Sequence, residues 1–172
     1  MLRVKAFQKI LYSVVFSKAS DAIVPFVKIV AKQFKSQIHL LFVVKGFEPL
    51  SIIQPEKEII EEAKSRLLEF KNNHFSTFHD IVTSVAVGDP WEEIIYYIHS
   101  KSIDLVVMGT HGRKAFDKIV FGSVAERVIK TAPVPVLVVN PYRLINDNIF
   151  EDKKAEIAEA LNPMQLHDEI QL

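Results

Sequence analysis

Gly109-Thr-His-Gly112, a nine-residue interval and then Gly122-Ser123 form the stretch whose residue types and spacing best suit chemistry. That chemistry is anion binding. Gly109 and Gly112 permit close backbone approach and positive φ at the end of a strand, and Gly122 does the same at a helix entrance. Ser123 and Glu126 have capping-box spacing, which predicts that the helix begins at Ser123. The free N–H groups of such a start attract anions, and the Ser123 hydroxyl can donate to a phosphate oxygen. His111 lies within the loop, and Arg113 and Lys114 follow it; each reads either as a phosphate-side contact, the two cations neutralising its charge, or as a solvated side chain. A tight turn alone would account for any single glycine. Three glycines and a serine in strand–loop–helix order favour phosphate. The loop is neither a Walker loop, since Gly-Lys-Ser/Thr does not occur, nor a dinucleotide fingerprint, since no Gly-x-Gly-x-x-Gly follows a strand.

Other chemistries find little support. The chain has no cysteine, so disulfides, thiol catalysis and cysteine metal sites are excluded. His39, His74, His79, His99 and His167 lack metal-ligand spacing and read as structural or exposed. Lys101 and Asp104 read as solvent-facing or capping groups, Ser17 and Ser20 as helix-start residues, Tyr96-Tyr97 as core and rim. No Ser-His-Asp or paired-carboxylate arrangement can be placed around the loop, so no catalytic residue is assigned; slow hydrolysis of a bound phosphate compound is the most that is conceivable. The formal net charge is +0, which offers no bulk attraction to nucleic acid or to a membrane surface. Apolar runs such as Val134 to Val139 are too short to cross a bilayer. Met1 to Gln8 carries Arg3 and Lys5 without a long apolar core, so the expectation is a soluble, cytoplasmic protein.

The 172 residues, 49 % of them hydrophobic, suit one domain with one core. Lys9–Val15, Ile38–Val44, Asp80–Val87, Ile103–Met108 and Val134–Val139 are short apolar runs that read as buried strands. Helices are predicted between them. The first presents Ala22, Phe26, Ile29, Val30 and Phe34 on one face, with Pro25 within its first two turns or bending it. The second, Glu56 to Asn72, buries Ile59, Ile60, Ala63, Leu67 and Phe70. The third begins at Asp89-Pro90, a good cap followed by proline in the first turn, and turns Trp91, Ile94, Ile95 and Ile98 to the sheet. The fourth runs from Ser123 to Lys130 and stops at Ala132-Pro133. Gly46 to Pro55 is a loop. Alternating strands and helices imply an α/β fold with a parallel sheet covered on both faces. Pro135 suggests that the last strand lies at an edge.

Val106-Val-Met-Gly-Thr-His-Gly-Arg113, Phe121-Gly-Ser-Val-Ala-Glu-Arg-Val128 and Ala132-Pro-Val-Pro-Val-Leu-Val-Val139 resemble the C-terminal half of a universal stress protein, whose Gly-x2-Gly-x9-Gly-Ser/Thr signature is met in full. Gly88-Asp-Pro90 resembles the family's entrance to helix three, and Ile10-Leu-Tyr12 with Phe16-Ser17 and Leu40-Leu-Phe-Val43 its first two strands. The likeness covers residues 8 to 140. It implies a single-domain open five-stranded parallel sheet in order 3-2-1-4-5, helices on both faces, over residues 1–141. Residues 142–172 would form an acidic, partly helical extension with seven carboxylates and three basic side chains.

The resemblance further implies a stress-response regulatory protein that binds ATP or a related adenine nucleotide, any Mg²⁺ being carried by the phosphates. Its nucleotide-binding set would be Val14, Val43, Met108, Gly109, His111, Gly112, Arg113, Gly122, Ser123 and Val124, with the Val43 backbone meeting adenine. The family pattern Pro-x-Asp-Phe-Ser is replaced here by Ser13-Val-Val-Phe-Ser17. Val15 thus stands where an aspartate contacts the nucleoside, and the alternative is a family member that binds no nucleotide and acts as a dimeric interaction module. A homodimer through strand 134–139, with the tail packed across it, is the expected assembly.

Overall fold

The computed structural model describes residues 7–46, 56–110 and 122–141. Its elements run β1 (Lys9–Ser13), α1 (Lys18–Phe34), β2 (Gln37–Lys45), α2 (Glu56–Phe75), β3 (Ile81–Gly88), α3 (Pro90–Lys101), β4 (Leu105–Gly109), α4 (Ser123–Thr131) and β5 (Val136–Val139). The five strands form one parallel sheet in the order β3-β2-β1-β4-β5, as the resemblance implies. The order switches between β1 and β4, where ligands of open α/β sheets collect at the carboxyl ends of the strands.

The strands are buried on both faces because their side chains alternate between two helical layers. Leu11, Leu41, Val106 and Met108 pack with Ile94 and Ile98 of α3 and with Ala125 and Val128 of α4 in one buried cluster. Ile10, Tyr12 and Leu40 alternate with these along β1 and β2 and are fully buried too. Central β1 is therefore closed off on both sides, and its apolar sequence follows from that position.

Three expectations need correction in detail. The buried stripe of α1 is Ser20, Ile23, Val24, Val27 and Ala31, while Ile29 is 43 % and Phe34 40 % exposed. Apolar residues surround this helix, so its sequence offers more than one stripe, and the sheet selects the one whose small members, Ser20 and Ala31, allow close approach. Pro25 lies inside α1, on its exposed side, where a missing N–H costs least. β1 ends at Ser13, two residues early, and β5 starts at Val136 rather than Val134.

The start of α3 follows its sequence signals. Asp89 is the N-cap, its side chain accepts from the Trp91 N–H, and Pro90 occupies the first turn. Such a cap stabilises a helix by about 1 kcal/mol. The amino end of the sheet is fastened by the Asp104 carboxylate, which accepts from the Gln8 and Lys9 amides.

Candidate functional site

Backbone pairing at the carboxyl ends determines what the site offers. In a parallel strand the N–H and C=O of one residue point to the same side, and successive residues alternate. The β2 bonds fix the sense. The Gln37 amide donates to Gln8 and the Leu41 carbonyl accepts from Val14, both toward β1, whereas the Ile38 and Gly46 amides donate toward β3. Val43 must then direct its N–H and carbonyl toward β1. Pairing of β1 with β2 stops at Ser13↔Leu41, one Val14 bond follows at 2.8 Å, and the chain leaves the sheet. Val43 thus presents a donor and an acceptor side by side to the space beyond β1, an arrangement that suits the edge of a planar base.

The chain leaves β1 by a strained turn. Phe16 has φ 23°, a conformation that costs a non-glycine residue about 1–3 kcal/mol and clusters at functional positions. Its ring is held 4.3 Å from the Phe42 ring, with the Arg66 guanidinium 4.6 Å from its centroid. The preceding Val15 is half-buried, and its amide donates to the Ser20 hydroxyl at 3.0 Å. Val14 is 1 % exposed, so its contribution to a ligand is confined to backbone. Ser17 caps α1 without a side-chain hydrogen bond, and its hydroxyl is buried without a partner among the described residues.

Across the switch, Gly109 ends β4. The Thr110 amide donates to the Val139 carbonyl at 2.9 Å, and the Gly122 amide donates to the Thr110 carbonyl at 2.7 Å. The two ends of the glycine loop are therefore tied to each other and to β5. His111, Gly112, Arg113 and Lys114 lie outside the described residues. Gly122, not Ser123, is the N-cap of α4, at φ −63° and ψ 150°. The expected capping box does not form, because the Gly122 carbonyl already accepts the Glu126 amide and the Glu126 carboxylate turns to Lys130 Nζ at 2.6 Å. Ser123 moves to the first helical position, exposed, with no hydrogen bond to its hydroxyl among the described residues. Among the described residues no side chain caps the amides of Ser123, Val124 and Ala125, which precede the first intrahelical bond.

The remaining predicted residues divide clearly. Val124 and Ser123 line a cavity of about 200 Å³ together with Lys45, Asp89, Trp91 and Arg127. Met108 is 5 % exposed and packs in the core; as an even-numbered β4 residue, between Val106 and Thr110, it directs its backbone toward β5. Lys45 and Arg127 did not stand out in the sequence, since they belong to elements far apart in the chain and are ordinary exposed cations on each. The ion pairs Lys64–Glu61 and Lys130–Glu126 hold both glutamates below the usual carboxylate range, chiefly through the lysine hydrogen bond, and both sit on exposed helix faces. No group of three or more His, Asp or Glu able to hold a metal occurs among the described residues, and no described helix is long and apolar enough to cross a membrane.

This fold agrees with the comparison to known proteins. The model of the universal stress protein family matches residues 6–140. The universal stress protein MJ0531 of Methanocaldococcus jannaschii is 36 % identical over 117 residues, 64 % of this chain and 68 % of that protein. The solved structure of MJ0577, a universal stress protein of the same organism, superposes with a TM-score of 0.69 at 31 % identity, covering 79 % of this chain and 97 % of that one. A universal stress protein from Archaeoglobus fulgidus, solved in complex with dAMP, shares the fold at 20 % identity and a TM-score of 0.60, covering 79 % and 100 %. The chain belongs to the universal stress protein family.

Proposed function

We propose that the protein is a nucleotide-binding regulator of the stress response that takes ATP or a related adenine nucleotide at the switch between β1 and β4. The observation that carries this reading is the 2.7 Å bond from the Gly122 amide to the Thr110 carbonyl. It sets the uncapped N-terminus of α4 beside the end of β4, where a phosphate would meet the Ser123 and Val124 amides and the Ser123 hydroxyl. Val43 would read the adenine edge through its open N–H and carbonyl, while Gly109, Gly112, His111 and Arg113 would complete the ribose and phosphate cradle, with Val14 and Met108 at its floor. The A. fulgidus relative bound to dAMP shares the fold only; support here comes from the loop and from these donors.

A phosphate-borne Mg²⁺ fits a site without a carboxylate cage. Nucleotide occupancy would bias a dimer or partner surface, which is regulation by population shift. The cytoplasm is the compartment that supplies such a ligand, and a homodimer through the β5 edge is the assembly we propose, with residues 142–172 as a separate acidic extension. One observation favours the alternative of a nucleotide-free interaction module. With Val15 in place of aspartate, and its amide bonded to Ser20, the nucleoside side loses a charged acceptor.

The two readings part on one measurement. Protein purified without added nucleotide is heated, and the supernatant is analysed by mass spectrometry. ATP or ADP near stoichiometric amounts is expected. Replacing Gly122 with valine should remove it while circular dichroism stays unchanged, because the new side chain would fill phosphate space and φ −63° is open to valine. Undiminished nucleotide in that variant would place the ligand elsewhere, and none in the parent chain would favour the interaction module.

A further inference from the structure

A cavity lies between the N-terminal ends of α3 and α4. Its walls come from three elements: Lys45 at the end of β2, Asp89 and Trp91 at the start of α3, and Ser123, Val124 and Arg127 on α4. Ser123 and Arg127 are four residues apart on one helix, so they share a face, and a helical side chain leans toward the N-terminus. The Arg127 guanidinium lies 5.4 Å from the Trp91 ring centroid. That stacking restricts the guanidinium without using any of its N–H donors. Neither Lys45 nor Arg127 forms an ion pair among the described residues. Asp89 is the carboxylate of this wall, and its Oδ1 already accepts the Trp91 amide. The Trp91 Nε1–H is itself buried with no acceptor among the described residues, so the indole meets the wall through the ring face that Arg127 covers. A wall with two cations that form no ion pair among the described residues, against one carboxylate, carries net positive charge and suits oxyanions.

We infer that this cleft is a second anion subsite, continuous with the α4 N-terminus, in which Lys45 and Arg127 take the outer phosphates of a polyphosphate chain. The inference rests on the nucleotide reading for the identity of the base, and deepens it by naming the ligand class. Di- and triphosphates span both subsites. A nucleoside monophosphate or a cyclic monophosphate has one phosphate and leaves the Lys45–Arg127 subsite empty. Lys45 is the specificity-determining residue, since Arg127 is already positioned by Trp91 whereas Lys45 is exposed and forms no ion pair among the described residues.

The test uses the full chain and two readouts. Calorimetry measures affinities for ATP, AMP and inorganic tripolyphosphate in the parent protein and in Lys45→Gln. Intrinsic fluorescence locates binding, since Trp91 is the chain's single tryptophan. ATP is expected to bind roughly tenfold or more tightly than AMP, the size of one charge-assisted hydrogen bond, and to change Trp91 emission where AMP does not. Lys45→Gln should abolish that preference while leaving AMP affinity alone. Equal ATP and AMP affinities, unchanged in the variant, would overturn the subsite and leave the nucleotide reading standing. Binding of tripolyphosphate that is lost in Lys45→Gln, with no binding of either nucleotide, would keep the subsite and refute the nucleotide reading. Silence with all three ligands would refute both.

Discussion

Replacing Tyr97 with phenylalanine should destabilise the protein by an amount that the hydrogen-bond roles fix closely. Gln37 donates its amide to Asp80 Oδ1 at 2.6 Å, so the Gln37 Oε1 left facing His39 Nε2 at 2.8 Å is an acceptor and Nε2 must carry a proton. Burial, aided by the charges of Lys9 and Lys101 and opposed by Asp80, lowers the His39 pKa. The ring is therefore neutral, and Nδ1 accepts. The Tyr97 hydroxyl, 3.0 Å away, donates to Nδ1, and its oxygen accepts from Ser84 Oγ at 2.9 Å. Each hydrogen bond of the chain from Asp80 to Ser84 then has one assigned donor and one assigned acceptor. Phenylalanine keeps the ring packing, with Tyr97 6 % and His39 3 % exposed, but deletes the hydroxyl between them. The Ser84 bond is worth about 1 kcal/mol net, and orphaning the buried His39 nitrogen costs about 1–3 more, so the loss should be about 2–4 kcal/mol. Urea unfolding followed by circular dichroism at pH 8 measures it, with the slope unchanged and the midpoint lowered. A loss below about 0.5 kcal/mol would show that the hydroxyl is not the donor to His39, and the chain of roles would fail. The same network sets a pH dependence. A histidine whose folded pKa is lowered leaves the unfolded state holding more protons, so stability is complete at neutral pH and above and falls as pH drops through about 6.5 toward the folded value.

Two further expectations concern binding and assembly. Val15→Asp should tighten ATP binding up to about tenfold if the nucleoside pocket keeps the family geometry, a charge-assisted bond of about 1.5–3 kcal/mol being offset in part by desolvation at a half-buried position; equal or weaker binding by calorimetry would mean that the Ser20-bonded turn has moved that position out of reach. A chain ending at Asn140 should dimerise more weakly than the full protein by light scattering, since apolar residues such as Ile145, Ile149 and Phe150 would no longer cover the partner; dimer affinity equal to that of the full chain would remove the extension from the interface.

The fold was legible wherever one local rule acted alone. Asp89-Pro90 announced α3, and short β-branched runs announced strands to within two residues. The stripe of α1 was not legible, because a helix apolar on several sides leaves the choice to the sheet it meets. The cap of α4 was misplaced by one residue, because Ser123 and Glu126 satisfy a spacing rule that a long-range bond, Gly122 to Thr110, overrides. The glycine-rich half of the candidate site lies in one contiguous stretch and stands out in the sequence by itself. Lys45, Trp91 and Arg127 could not, being brought together only by the crossover from β3 to β4. His39, Ser84 and Tyr97 are likewise unremarkable singly and become a network only through parallel register, His39↔Val82 and Leu41↔Ser84.

The bond between Gly122 and Thr110 also governs how freely the loop can diverge. A segment whose ends are fixed by the surrounding sheet and helix adds little to the entropy of closure when its length changes, since doubling a flexible loop costs only about 0.6 kcal/mol. By that rule a change of length between these two anchors costs little in closure entropy, while the Gly122–Thr110 bond and the backbone amides that open α4 stay where they are. Selection can retune what the loop recognises independently of whether the domain folds, which makes this segment the natural place for one scaffold to acquire different ligands.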